Sequence, residues 1–259
     1  MSLFCNISYL AYNYDRTVLI LSKLKKTYYI RFLQRVFLFI CAICIYFNYP
    51  SFFDILHGFT FFEKFNVLHI FYIVWLADIA MQLMPMTGQF SIGSLKQFPH
   101  FMKEIKDDFI NHKILSKKQI KNNVGALIIL FIWILLTVSV GLLRYFGIIN
   151  DATIFMICCF FYVCDLICVL FFCPFQKWFM KNKCCATCRI FNWDHMMMFS
   201  CFIFVPGFYG WSLVLLSLTS MFIWEFNYLA HSERFFEETN ATLKCKNCKD
   251  KMCRKNLRQ

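Results

Sequence analysis

Six cysteines in two basic, polar stretches are the residues best suited to chemistry in this 259-residue chain. "NKCCATCRIFNWD", from Asn182 to Asp194, holds Cys184, Cys185 and Cys188, and "CKNCKDKMC" holds Cys245, Cys248 and Cys253. Each stretch contains a C-x-x-C unit, Cys185/Cys188 and Cys245/Cys248. That spacing lets one tight turn present two sulfurs to one metal, and two such turns complete a tetrahedral four-thiolate site. Cys184 and Cys253 stand nearby as extra ligands. Four thiolates around Zn²⁺ carry a net charge of −2, which Lys183, Arg189, Lys244, Lys246 and Lys249 would compensate while favouring the thiolate form. Zinc is the expected ion. An Fe–S cluster, for which cysteines are the usual ligands, is an alternative, as is thiol exchange between the two pairs.

A second set of candidates lies in apolar surroundings. Asp78 and Asp165 interrupt otherwise greasy segments, and an ionisable group in lipid usually faces the bundle interior or a water-filled path. They could relay protons or ions, or sit neutral and hydrogen-bonded to a neighbouring helix. Cys158, Cys159, Cys164, Cys168 and Cys173 share the segment of Asp165, and with Met196, Met197 and Met198 they outline a soft-metal route for Cu(I). Packing of cysteine as a small hydrophobe accounts for most of them equally well. Haem b would need two histidines at matching depth; His69 is expected near one end of its span and His195 near the other. No Walker loop, nucleophile elbow, zinc-protease helix or dinucleotide loop is present, so no catalytic motif marks the chain as an enzyme.

The elements that position these residues follow from composition. The chain is 59% hydrophobic and only 16% charged, where a soluble domain carries about a quarter charged residues, so it is expected to be an all-helical integral membrane protein. Four spans are expected at residues 36–53, 65–86, 122–143 and 152–176, each long enough to cross about 30 Å of hydrocarbon. Pro50 should end the first helix early, and Arg31 and Arg35 should snorkel at its base. The apolar stretch 195–224 is broken by "VPGFYG", with Pro206, Gly207 and Gly210 at its middle. It is expected to fold back as a re-entrant hairpin, with a fifth span as the alternative.

Basic residues set the orientation. Arg16, Lys23, Lys25, Lys26, Arg31 and Arg35 precede or begin the first span, Lys64 alone follows it, and seven lie between Thr87 and Lys121. Arg144 alone follows the third span, four (Lys177, Lys181, Lys183, Arg189) follow the fourth, and eight lie in the tail from Arg234 to Arg258. The alternation puts both termini in the cytoplasm, in a plasma (inner) membrane. A hairpin then brings the two cysteine stretches, separated by 56 residues, to the same face. Three regions result: a basic segment 1–35, a four-helix region 36–176 with an amphipathic surface helix near 98–114, and a cysteine-rich segment 177–259. The net charge of +12 fits contact with anionic lipid headgroups, and no motif suggests nucleic acid.

"CPFQKWFMKNKCCATCRIFNWD", with "HSERFFEETN" and "CKNCKDKMC" downstream, resembles an uncharacterised group of small prokaryotic cysteine-rich integral membrane proteins. The resemblance covers about the last third of the chain and implies no activity. The leading expectation is therefore a membrane protein whose cytoplasmic four-cysteine zinc site is structural or docks a soluble partner or a second copy. A thiol-redox or Fe–S electron-transfer protein, and an ion or soft-metal transporter, are the alternatives.

Overall fold

The computed structural model describes residues 23–86, 88–106, 110, 112–248 and 250. The principal helices are α1 (Lys23–Asn48), α2 (Leu68–Gln82), α3 (His112–Tyr145), α4 (Asp151–Leu170), α5 (Asp194–Phe199) and α6 (Phe208–Ala230). Among the described residues the only extended pairings are two isolated bridges, Gly58 with Gly207 and Glu104 with Asn240. Four helices, α1, α3, α4 and α6, are long and apolar enough to cross a membrane. Their outward faces carry a belt of exposed apolar side chains, including Leu33, Phe37 and Phe47 on α1, Phe131 on α3, and Leu215, Phe226 and Leu229 on α6. Such a belt is stable against lipid tails and costly against water. The chain is an all-α membrane bundle.

These are not the four spans expected. The segment around Asp78 forms only the 15-residue α2, about 22 Å long, while the full-length fourth helix is α6. The first helix starts at Lys23, ahead of residue 36, and so carries Arg31 and Arg35 within it. Residues 1–22 of the expected N-terminal segment lie outside the described residues.

Local chemistry sets the ends. Helix α1 stops at Asn48 because Pro50 lacks an amide proton and disfavours helical backbone at Tyr49, and a 3₁₀ turn follows over Pro50–Leu56. Helix α3 closes at Gly147, whose φ of 71° is left-handed; the amide of Gly147 returns to Arg144 O and that of Ile148 to Leu143 O. Asn150 then caps α4, its side chain accepting from Thr153 N at 2.9 Å.

Contacts between elements give the direction of each crossing. The end at which α1 and α3 finish, here called apical, holds residues 50–66, 146–150 and 206–207. The basal end holds residues 83–86, 88–106, 171–193 and 231–248. Tyr209 donates to Leu68 O and Ser220 to Gln82 Oε1, so α2 and α6 descend side by side. The stretch 194–224 does reverse. Trp193 lies against Glu225, and Phe202 against Gly210, with the turn at Val205–Gly207. The two arms are unequal: α5 and a 3₁₀ turn over Ser200–Phe204 climb roughly 19 Å, whereas α6 runs about 35 Å. Both ends of the described chain therefore lie at the basal end. Two aromatic clusters fill the interior: an apical one around Phe71, Trp75, Phe155, Phe199, Phe202 and Tyr209, and a basal one around Trp193, Trp224, Tyr228 and Phe235.

The amphipathic helix expected near 98–114 is absent from the described part of that range. Pro99–Phe101 make one 3₁₀ turn, then the chain extends to pair with the tail, Ile105 N donating to Thr239 O and Ala241 N to Lys103 O. The tail supplies backbone partners that a surface helix would have made internally. Residues 107–109 and 111 lie outside the described residues, and α3 begins at His112.

The reversal depends on contact without side chains. Gly58 N donates to Pro206 O and Phe208 N to Gly58 O, both under 3 Å, and a Cβ on Gly207 would stand 1.9 Å from Leu56 O. Gly207→Ala should therefore cost about 1–3 kcal/mol, because one backbone must move off the other. Chemical unfolding in detergent measures it; an unchanged midpoint would show that the apical loop does not pack on the turn.

Candidate functional site

Arg35 is buried at the centre of the bundle instead of snorkelling to its base. Its Nη1 donates to Asp165 Oδ2 at 2.5 Å and to Tyr162 O at 2.8 Å, and its Nη2 to Asp78 Oδ2 at 3.3 Å. The Tyr162 hydroxyl donates to the same Asp78 oxygen at 2.6 Å, and the guanidinium stacks 4.0 Å from the Tyr162 ring centroid. Three helices thus meet on one cation. Removing a member of such a buried pair typically costs about 3–5 kcal/mol, since the remaining charge is left unmatched. The two aspartates singled out in the sequence are brought together, by an arginine whose role hydropathy alone could not reveal.

A second polar group lies beside it, where α2 ends and the short arm begins. Gln82 Nε2 donates to Asp194 Oδ1 at 2.7 Å, while its Oε1 accepts from Ser220 Oγ at 3.0 Å and from His195 Nδ1 at 2.8 Å. A carbonyl oxygen can only accept, so the imidazole carries its proton on Nδ1. In the neutral ring its Nε2 is then a bare lone pair, and Nδ1 also lies 3.3 Å from Asp194 Oδ1. The Nε2 atom is buried without a hydrogen-bond partner, in a residue only 3% exposed. Asp194 is the first residue of α5 and makes no cap, contrary to the usual role of an aspartate there.

Both groups line one cavity of about 140 Å³, which runs from Asp78, Asp165, Asp194 and His195 to Cys173, Gln176 and Cys185 at the basal end. No apical-loop residue lines it; the apical aromatic cluster closes that side. Its charge is unbalanced. Arg31 and Arg35 face Asp78, Asp165 and Asp194, leaving one negative charge when His195 is neutral and none when it holds a second proton. Arg31 is itself turned toward Gln89 at 3.3 Å.

The cysteine stretches form matching turns. Cys188 N donates to Cys185 O at 2.9 Å and Cys248 N to Cys245 O at 3.2 Å, each closing a single 3₁₀ turn. Cys184, Cys185, Cys245 and Cys248 line one basal cavity of about 300 Å³, together with Cys168 and Cys173; Cys188 lines the carboxylate cavity instead. Among the described residues no three His, Cys, Asp or Glu side chains stand close enough together to hold a metal ion as they lie. Cys253 falls outside the described residues. The tail is held on the basal layer by Glu237, which accepts from Lys183 at 2.8 Å and Lys118 at 3.2 Å. Burial pushes Glu237 upward, but these two hydrogen bonds more than reverse it and hold it below the ordinary glutamate range.

Lys96 fixes the first C-x-x-C turn from beneath. Its ammonium is fully buried, donates to Ala186 O at 2.9 Å and Cys188 O at 2.7 Å, and lies 5.3 Å from the ring centroids of Trp224 and Phe235. Burial lowers Lys96 to about 7 and raises the Cys188 thiol to about 11. Nothing in its local sequence distinguishes Lys96 from the solvated lysines around it.

Comparison of the chain with protein-family models, curated proteins and solved structures finds no match. The site must be read from its own geometry.

Between about pH 7 and 10.5 the unfolded chain holds a proton on Lys96 that the folded chain lacks, so stability should rise with pH across that window and stay flat below it. Unfolding in detergent at pH 7.5 and 9.5 should show a gain of about 2–3 kcal/mol, which Lys96→Met flattens. The same slope in both proteins would assign it to another group.

Proposed function

We propose that this integral membrane protein carries protons on the Arg35, Asp78, Asp165, Asp194 and His195 constellation, as the relay of a proton-coupled transporter. The observation that carries it is the buried, unpartnered Nε2 of His195 in a cavity that reaches the basal cysteines and is one positive charge short of neutrality when that ring is neutral. An unmatched charge in a low-dielectric interior is costly, and one proton removes it. Because no preformed coordination shell accompanies the carboxylates, a proton suits the site better than a divalent metal. Asp165 and Asp78 hold Arg35 as the fixed counter-charge, and Gln82 orients the imidazole. The dense basic residues of the basal end support a cytoplasmic orientation for it and for both ends of the described chain, by the positive-inside rule.

Reconstitution into vesicles with a trapped pH dye tests the relay. The native protein should dissipate an imposed pH gradient. Asp165→Asn and His195→Gln should each reduce that rate at least tenfold, while Asp165→Glu retains part of it. Undiminished flux in Asp165→Asn would sink the proposal.

A second proposal concerns the cysteine turns: Cys185, Cys245 and Cys248, with Cys184 or Cys188 as fourth ligand, hold a structural zinc ion that ties the tail to the hairpin entrance. The matched 3₁₀ turns and the shared cavity favour it. The thiols would have to close on the ion, since as they lie no three stand together. Metal analysis of the purified protein should find one zinc per chain, lost with the tail's attachment in Cys245→Ser/Cys248→Ser. Protein without zinc and with the tail still protected from proteolysis would exclude it.

A further inference from the structure

The carboxylate cavity and the thiol cavity share a wall, to which Cys168, Cys173, Gln176 and Cys185 contribute. The end of α4 shapes this wall. The helix stops at Leu170, the amides of Phe171 and Phe172 both return to Ile167 O, and Pro174 prevents the helix from continuing. The chain therefore turns there, and Cys168 and Cys173 come to line the same wall, each bordering both cavities. Gln176 N donates to Cys173 Sγ at 3.4 Å, orienting that sulfur. Both residues are free thiols. Val169, Phe171 and Phe172 line the thiol cavity beside them, with Gln176, Lys177 and Asn182 among its polar residues.

We propose that Cys168 and Cys173 bind one monovalent soft cation, Cu(I) in the cell, at this shared wall, and that the ion is cargo of the transporter. The proposal rests on the proton relay for the coupling but not for the binding. Thiolate sulfur selects soft ions over Na⁺, K⁺ and Mg²⁺, and a d¹⁰ monovalent ion is content with two ligands in line. Two thiols on one wall therefore suffice, where a tetrahedral ion would need a group of three or four that the described residues do not assemble. On binding, two metal–sulfur bonds form and the two S–H bonds give up their protons to water, with no change in oxidation state. The further thiols Cys184 and Cys245 line the basal side of the same cavity, on the path by which an ion would reach the pair.

The test uses the full chain in detergent, anaerobically, with Cu(I) presented in competition with a coloured Cu(I) chelator, and Ag(I) as the redox-inert equivalent. One ion per chain should be withheld from the chelator. Cys168→Ser/Cys173→Ser should weaken retention at least tenfold, while Cys41→Ser/Cys44→Ser, at positions that line neither cavity, leaves it within about twofold. In the native protein Ag(I) should protect Cys168 and Cys173 from alkylation, read by peptide mass spectrometry, which keeps the test decisive if the double variant does not fold. Retention undiminished in Cys168→Ser/Cys173→Ser, or alkylation of Cys168 and Cys173 undiminished by Ag(I), would overturn the proposal. Asp165→Asn should bind as the native protein does but carry no protons. Native binding without any proton flux would reject the relay and leave the ion site standing.

Discussion

A guanidinium inside a membrane helix must meet negative charge, and the way Arg35 does so organises this bundle. Its two carboxylate partners come from α2 and α4, and a third contact is the carbonyl of Tyr162. Satisfying one cation therefore fixes the depth and rotation of three helices relative to one another. The cost of desolvating three charges is large, and their mutual attraction offsets it only in this geometry. Tyr162 contributes twice, through its ring against the guanidinium and its hydroxyl on Asp78. It is the group that lets Asp78 share Arg35 with Asp165 without an open valence.

Once that triad is placed, the two ends of the bundle differ in kind. The apical end is closed by aromatic packing and by backbone contact between the segments of Gly58 and Gly207. The basal end is built from irregular segments whose backbone polar groups need partners. Those partners are side chains: Lys96 on Ala186 and Cys188, Trp224 on Arg189, Arg234 on Gln97, and Asn240 on Arg234 and Lys103. Arg189 pairs with both oxygens of Glu225 and stacks 3.6 Å from the Tyr228 ring centroid. The basal layer thus holds its cavities open by polar cross-links, whereas the apical half is filled. Both the carboxylate cavity and the thiol cavity accordingly reach the basal end.

Much of the architecture was legible in the residues. Apolar length located the crossings, Pro50 ended α1, and Pro206 with Gly207 marked the reversal that puts both cysteine stretches at one end. Two elements were misjudged for the same reason. The segment holding Asp78 was expected to span fully but is helical only over Leu68–Gln82, and an amphipathic helix was expected near 98–114, of which the described residues 98–106 instead run along the tail. In both, helical periodicity was a property of the local sequence, while the conformation was settled by a distant backbone or side-chain partner. Arg35 belongs here too: a basic residue near the base of an apolar run snorkels unless carboxylates lie at its own depth on neighbouring helices, and periodicity does not report a neighbour's depth.

By itself the sequence determined which stretches leave water, the order of the crossings and the place where the chain turns back, because hydrophobicity and proline act on the segment that contains them. Only the tertiary structure decided which charges meet, which imidazole nitrogen is left bare and which thiols face which cavity. Those outcomes depend on the relative depth and rotation of helices far apart in the chain. A contact set by packing between segments leaves no mark on either segment alone.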